Sequence, residues 1–146
     1  MAARWPCATC AKPSEAARRA VKASPTSRGE LGRRAEQAAQ RYLVERGLRP
    51  LGSNLHNRYG EIDLLMRDGE TLVFVEVRYR RRADFGGALA SVDARKRGKL
   101  LRAAAAHLQQ HGLDQSPCRF DAIGVAPAGN EPFGCIEWVA DAFRAD

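Results

Sequence analysis

Two acids and an arginine stand close together in GEIDLLMRDGETLVFVEVRYRRR, residues 60–82. Asp63 and Glu76 interrupt runs of Leu, Ile, Val and Phe that read as strands, and a lone buried charge is costly there. The Asp68-Gly69 pair between the runs signals a hairpin. Side chains alternate faces along a strand, so Glu76 and Arg78 share a face with Leu72 and Phe74, while Val73, Val75 and Val77 point to the other. With a turn of two or four residues, Asp63 falls opposite Phe74 or Glu76 and on the face of Glu76. A three-residue loop would break this arrangement unless a bulge restored it.

Carboxylates held this close repel and raise each other's proton affinity unless a cation joins them. Mg²⁺ or Mn²⁺ suits such a pair, because hard cations take oxygen ligands and Mg²⁺ keeps several waters. Asp63, Glu76 and the Val77 carbonyl would supply the protein ligands, and a water attacking phosphorus would make the site hydrolytic. The alternative is a pair of surface acids in ordinary ion pairs with neighbouring arginines.

The charge distribution agrees with a polyanionic partner. The chain of 146 residues carries a net charge of +7, with 45% hydrophobic and 28% charged residues. Residues 1–34 sum to +6 and 78–102 to +7, whereas 35–77 and 103–146 sum to −2 and −4. Arg80, Arg81 and Arg82 follow the second strand; Arg95, Lys96, Arg97 and Lys99 open the next helical stretch. Such clusters bind nucleic-acid phosphates without reading base sequence. Tyr79 and Phe85 are candidates for stacking on a base, with core packing the alternative.

The elements that must position these residues read in order along the chain. Leu31, Ala35, Ala38, Ala39, Tyr42 and Leu43 recur at helical spacing over 30–46, and Gly47 can end that helix. Residues 48–58 hold a weak strand with a Pro-Leu-Gly interruption. The strong strands are 61–67 and 71–79. A long helix is predicted over 88–111, closed by Gly112, and a fourth strand over 119–127. CIEWV, 135–139, reads as a short fifth strand before a terminal turn of helix. The order is αβββαβ, an α/β architecture in one domain over 29–146. Residues 1–28, rich in Ala, Arg, Ser and Pro, read as a disordered basic arm, with a transit peptide as the alternative.

Other chemistries find less support. Cys7 and Cys10 have metal-ligand spacing, but Cys118 and Cys135 do not form a second pair, so no zinc site is assigned. His107 and His111 are four apart on a helix without a third ligand. Asp121 is expected to pair with a core arginine. No secretory signal and no apolar run of membrane-spanning length is visible, so a cytoplasmic protein with free thiols is expected. No phosphate loop, dinucleotide fingerprint or nucleophile elbow occurs.

GEIDLL followed by VEVR resembles the Asp…(Asp/Glu)-x-Lys signature of the restriction-endonuclease-like nuclease superfamily. From about Gly29 to Phe143 the chain resembles the YraN-like family, a group of bacterial proteins predicted to be endonucleases. The resemblance rests on GRRAEQAAQRYL, the Asn54–Arg58 segment, GEIDLL, LVFVEVRYR, KRGKLLRAAAAHL and RFDAIGV. It implies a restriction-endonuclease-like core with a mixed central sheet flanked by helices, and Mg²⁺-dependent cleavage of DNA. It makes Asp63 and Glu76 metal ligands and Glu36 the acid that completes the site. Arg78 stands where the superfamily has lysine. Arginine can clamp a phosphate but stays charged and cannot act as a base. A non-catalytic nucleic-acid-binding module and a protein-interaction module are therefore the competing functions.

Overall fold

The computed structural model of the chain describes residues 28–81 and 93–144. The expected basic arm, Cys7, Cys10, Arg82 and Phe85 lie outside them. Helix α1, Arg28–Glu45, is followed by strands β1 (Arg49–Asn57), β2 (Gly60–Asp68) and β3 (Thr71–Tyr79). Helix α2, Ala94–Gln110, then leads to β4 (Cys118–Ala128) and β5 (Glu131–Phe143). The five strands form one sheet in sequence order. Neighbours are antiparallel except β3 and β4, which run parallel, as a helical crossover requires.

Both faces of the sheet are covered. Ala35, Ala39, Tyr42 and Leu43 of α1 pack on Leu64, Met66, Val73, Val75, Ile123 and Val125. Leu100, Ala103, Ala104 and Leu108 of α2 pack on Ile62, Leu65, Leu72, Phe74 and Phe120 on the other face. The predicted alternation in β3 is therefore real, but the face of Leu72 and Phe74 is a second core. That is why β3 reads as a continuous apolar run until Glu76.

The β2–β3 hairpin closes through Gly69 and Glu70, because Asp68 pairs with Thr71. Gly69 takes the left-handed conformation, φ 61°, that a two-residue turn demands. The sequence signal thus marks the right turn, with its centre one residue later. The Pro-Leu-Gly interruption in β1 becomes a register shift between Pro50 and Gly52 against β2.

Two expectations need correction. The second helix does not start at residue 88. Asp93 is extended, φ −73° and ψ 167°, and its side chain accepts from the Lys96 N–H. An N-cap of this kind fixes the start at Ala94. Nor do the described residues after 139 form a terminal turn of helix: β5 runs on to Phe143, which stacks on Phe120. A hairpin turn with Gly129 at φ 59° holds β5 on β4.

Asp121 explains the persistence of β5. It is fully buried, and it pairs with Arg119 as expected, Nε to Oδ1 at 3.0 Å. Trp138 Nε1 donates to its Oδ2 at 2.9 Å, and the Asp141 N–H donates to Oδ1 at 2.9 Å. Asp141 sits at φ 51°, an uncommon conformation for a non-glycine residue. One carboxylate thus ties two strands across a register shift between Phe120 and Ala122. Replacing Asp121 with Ala strands these donors and should lower stability by about 3 kcal/mol. Urea unfolding of the two proteins measures the difference; a change below about 1 kcal/mol would show the network to be dispensable.

Candidate metal and phosphate site

The β2–β3 ladder ends at Leu64 opposite Val75. One step further, the same register sets Asp63 opposite Glu76. Here the backbone pairing is replaced by a side chain: Asp63 Oδ2 accepts from the Val77 N–H at 2.9 Å. A strand residue's N–H and C=O point toward the same neighbour. The Val77 carbonyl is therefore directed toward the Asp63 side of β3, as the expected ligand set requires.

A pocket of about 420 Å³ opens at this end of the sheet. Its walls are Gly32, Ala35 and Glu36 from α1, Gly60, Glu61 and Asp63 from β2, Glu76, Val77, Arg78 and Tyr79 from β3, and Lys96, Lys99 and Leu100 from α2. The structure thus brings together Glu36, Asp63, Glu76, Arg78, Lys96 and Lys99. Arg80 and Arg81 follow β3; the Arg80 N–H is held by the Val125 carbonyl at 2.9 Å. Arg95 is exposed at the start of α2, and Arg97 turns toward Phe143, its guanidinium 6.0 Å from the ring centre. Tyr79 packs edge-on against Phe133, ring centres 5.7 Å apart, and is thereby fixed to the core. His107 and His111 stay apart from the site and contact each other at the other end of α2, whereas His56 Nε2 lies 3.6 Å from Glu61 Oε1. Cys118 is a free thiol.

The electrostatics of the pocket centre on the acid pair. Burial, the Asp63 charge and a hydrogen bond to Asp63 push Glu76 up to about 8, against which Arg78 and Lys96 act. Asp63 is also raised, chiefly by burial, while the Val77 N–H and the hydrogen bond from Glu76 oppose the shift. The two carboxyls therefore share a proton at neutral pH. A divalent cation could take its place, with the strand carbonyl as a further oxygen ligand, so these groups fit a hard metal ion. Among the described residues no three His, Cys, Asp or Glu side chains converge as a metal-ligating group.

Glu36 borders the pair from α1. It too is raised, first by burial and then by the Asp63 charge. Asn54 hydrogen-bonds its carboxylate, yet Oε2 is buried without a hydrogen-bond partner. Asn54 itself adopts φ 50° within β1. Arg78 lies with Nε 3.3 Å from Glu76 Oε1, and its Nη2 is buried without a hydrogen-bond partner. Such open donors and acceptors are uncommon in a finished interior and mark places a ligand can satisfy.

Sequence reasoning missed Glu61 and Asn54. Glu61 borders the pocket, and its charge raises both Asp63 and Glu36. Its place in GEIDLL, two residues before Asp63, was the available signal. Asn54 opens the Asn54–Arg58 segment on which the family resemblance rests, and asparagine tolerates the left-handed backbone it adopts.

Comparison with known proteins assigns the family. The profile of the uncharacterised protein family UPF0102 matches residues 35–125. A UPF0102 protein of Ectopseudomonas mendocina is 48% identical over 121 residues, covering 82% of this chain and 99% of that one. One from Methylobacillus flagellatus is 50% identical over 116 residues, covering 80% and 98%. A third, from Xanthomonas campestris pv. campestris, is 51% identical over 123 residues, covering 84% and 98%. The chain belongs to the UPF0102 family.

The shared proton makes stability depend on pH. Glu76 binds its proton more tightly in the folded chain, so its contribution is full below about pH 4.5 and is lost as pH rises through about 8. His107 is lowered, and its opposite contribution is complete above its ordinary value of 6.5. The window from 6.5 to 8 therefore isolates the acid cluster. Wild type should lose stability there at up to about 1.4 kcal/mol per pH unit, the limit for one proton. Glu76→Gln should flatten that slope in thermal unfolding, and Mg²⁺ should do the same for wild type. Parallel slopes for both proteins would count against a shared proton.

Proposed function

We propose that this member of the UPF0102 family is a metal-dependent phosphodiesterase acting on DNA, an endonuclease-like hydrolase. The observation that carries the reading is the buried Asp63–Glu76 pair facing a pocket whose other walls hold Arg78, Lys96 and Lys99. The resemblance to restriction-endonuclease-like nucleases gives the same positions the same roles.

In this reading Asp63, Glu76 and the Val77 carbonyl hold Mg²⁺ or Mn²⁺. The ion supplies charge neutralisation at the phosphate and a more acidic bound water. Arg78 directs its open Nη2 to a phosphate oxygen. Hydrolysis forms a bond from water oxygen to phosphorus and breaks the bond to the leaving oxygen, so the attacking water must give up a proton. Arg78 cannot accept it. Glu36 Oε2, the open acceptor on the pocket wall, can, and solvent returns a proton to the leaving oxygen.

The start of α2 supports a polyanionic substrate. Its first turn contains Arg95, Lys96 and Arg97 and no acid beyond the N-cap Asp93, whose carboxylate accepts from the Lys96 N–H. Cations at the positive end of a helix dipole oppose helix formation, and a bound phosphate there relieves both. With Arg80, Arg81 and Arg82, these residues would hold the backbone on either side of the scissile bond. Branched or damaged DNA is a substrate class that fold analogy favours. A second reading, a nucleic-acid-binding module without hydrolysis, draws on one observation: arginine occupies the position where the superfamily has lysine.

Cleavage of plasmid, branched and single-stranded DNA with Mg²⁺ and with Mn²⁺ separates the two. Glu76→Ala should abolish cleavage and leave DNA binding largely intact. Arg78→Ala should lose about 10²–10³ in rate, as for removal of one transition-state donor, and Arg78→Lys should retain or raise it. Calorimetric titration of Mg²⁺ should show weaker binding to Asp63→Asn than to wild type. An inert wild type with an active Arg78→Lys would establish the binding module. Inert proteins that still bind DNA would refute the hydrolase.

Affinity should also report the basic run. Replacing Arg80, Arg81 and Arg82 with Ala should weaken DNA binding and flatten its salt dependence by about one unit of slope per lost phosphate contact. An unchanged slope would place the contacts elsewhere.

A further inference from the structure

The turn between β1 and β2 stands at the mouth of the pocket and has no part in the chemistry described above. It comprises Asn57, Arg58, Tyr59 and Gly60, and Gly60 lines the pocket. Three large hydrophobic side chains are exposed among the described residues, Val44, Leu51 and Tyr59. Tyr59 is the aromatic one, and it adjoins a pocket residue in sequence.

The turn is held rigidly. Asn57 Nδ2 donates to the Ala103 carbonyl of α2 at 2.9 Å. Its Oδ1 accepts from the Tyr59 N–H at 3.0 Å. Gly60 lies against α2, where an added Cβ would come within 3.5 Å of the Lys99 carbonyl oxygen. The Arg58 guanidinium sits 4.7 Å from the Tyr59 ring centre, and its Nη2 donates to the Tyr59 hydroxyl. An exposed aromatic ring, with the Arg58 guanidinium over one face and the other available for stacking, thus stands on a turn bonded to the helix that carries Lys96 and Lys99.

We propose that the Arg58–Tyr59 turn is a contact site for one unpaired nucleobase and its phosphate, on the strand whose backbone enters the pocket. The inference rests on the phosphodiesterase reading and names its substrate class: nucleic acid with unpaired bases near the bond to be cut. The reasoning is chemical. An exposed tyrosine can stack on any base because every base has a π face, whereas bases inside a duplex already stack on each other. Arg58 supplies charge for the adjoining phosphate. The anchoring bonds mean that the ring is in place before the strand arrives, so little ordering is required on binding.

The test measures binding, with EDTA present so that no cleavage intervenes. The probes are a labelled 12-residue oligothymidylate and a 12-base-pair duplex. Tyr59→Ala should weaken oligothymidylate binding about tenfold or more while leaving the salt slope unchanged and duplex binding within about twofold. Tyr59→Phe should bind as wild type. Arg58→Ala should weaken both probes and lower the single-strand slope by about 0.7. Tyr59→Trp should show indole fluorescence quenched by the oligonucleotide, which reports contact at that position in a folded protein. Equal losses on both probes, or none on either, would overturn the stacking site while the acid pair's role stood. A wild-type protein that binds neither probe would overturn both readings.

Discussion

The register of one hairpin governs this molecule. Asp68 pairs with Thr71 across a two-residue turn, and every pair along β2 and β3 follows from that step. Five positions on, the same count places Asp63 against Glu76. A slip by one residue would send Asp63 to the opposite face and separate the acids. It would also move Leu65 and Phe74 out of one core and Leu64 and Val75 out of the other. Because both faces are buried, the two hydrophobic cores enforce the geometry of the polar site. The site needs no residues of its own to hold the register.

The chain has two kinds of buried acid, and the contrast between them is informative. Asp121 is surrounded by donors: a guanidinium, an indole N–H and a backbone N–H. Its charge is fully answered within the protein, and its effect is to fasten β5 to β4. Asp63 and Glu76 are answered mainly by one backbone N–H, by Arg78 and by each other. Burial raises the proton affinity of both. One acid is a finished joint; the other two form an open site, and the same side-chain chemistry serves both uses according to the donors nearby.

Much of this was legible in the chain. The alternation of Val73, Val75 and Val77 against Glu76 and Arg78 showed the acid pair on one face, because strand geometry is regular and the turn is short. Among the described residues, five strands and two helices stand in the expected order. What was hidden depended on contacts distant in sequence. The start of α2 is set by Asp93 accepting from Lys96, against a stretch whose composition reads as helical earlier. The length of β5 depends on the Asp121 network, which no local propensity records. Lys96 and Lys99 reach the pocket because Leu100, Ala103 and Ala104 dock α2 on the sheet. Their types suggested phosphate binding, but only the docking angle could separate them from Arg97. The acid Glu61 was visible in the motif yet lacked a partner in the register argument.

The parallel pairing of β3 with β4 has a consequence for how the site comes into being. The β2–β3 hairpin joins neighbours across two residues, as the β1–β2 and β4–β5 hairpins do. The β3–β4 pairing needs the whole α2 crossover, so its ends are brought together from far along the chain. Contacts that close long loops carry more chain entropy and form slowly. The register that sets the two carboxylates opposite each other therefore belongs to the fast, local part of assembly. Their desolvation belongs to the slow part, when α2 settles over the sheet. Positioning the two acids is therefore a local task of the hairpin, and burying them a long-range task of the crossover.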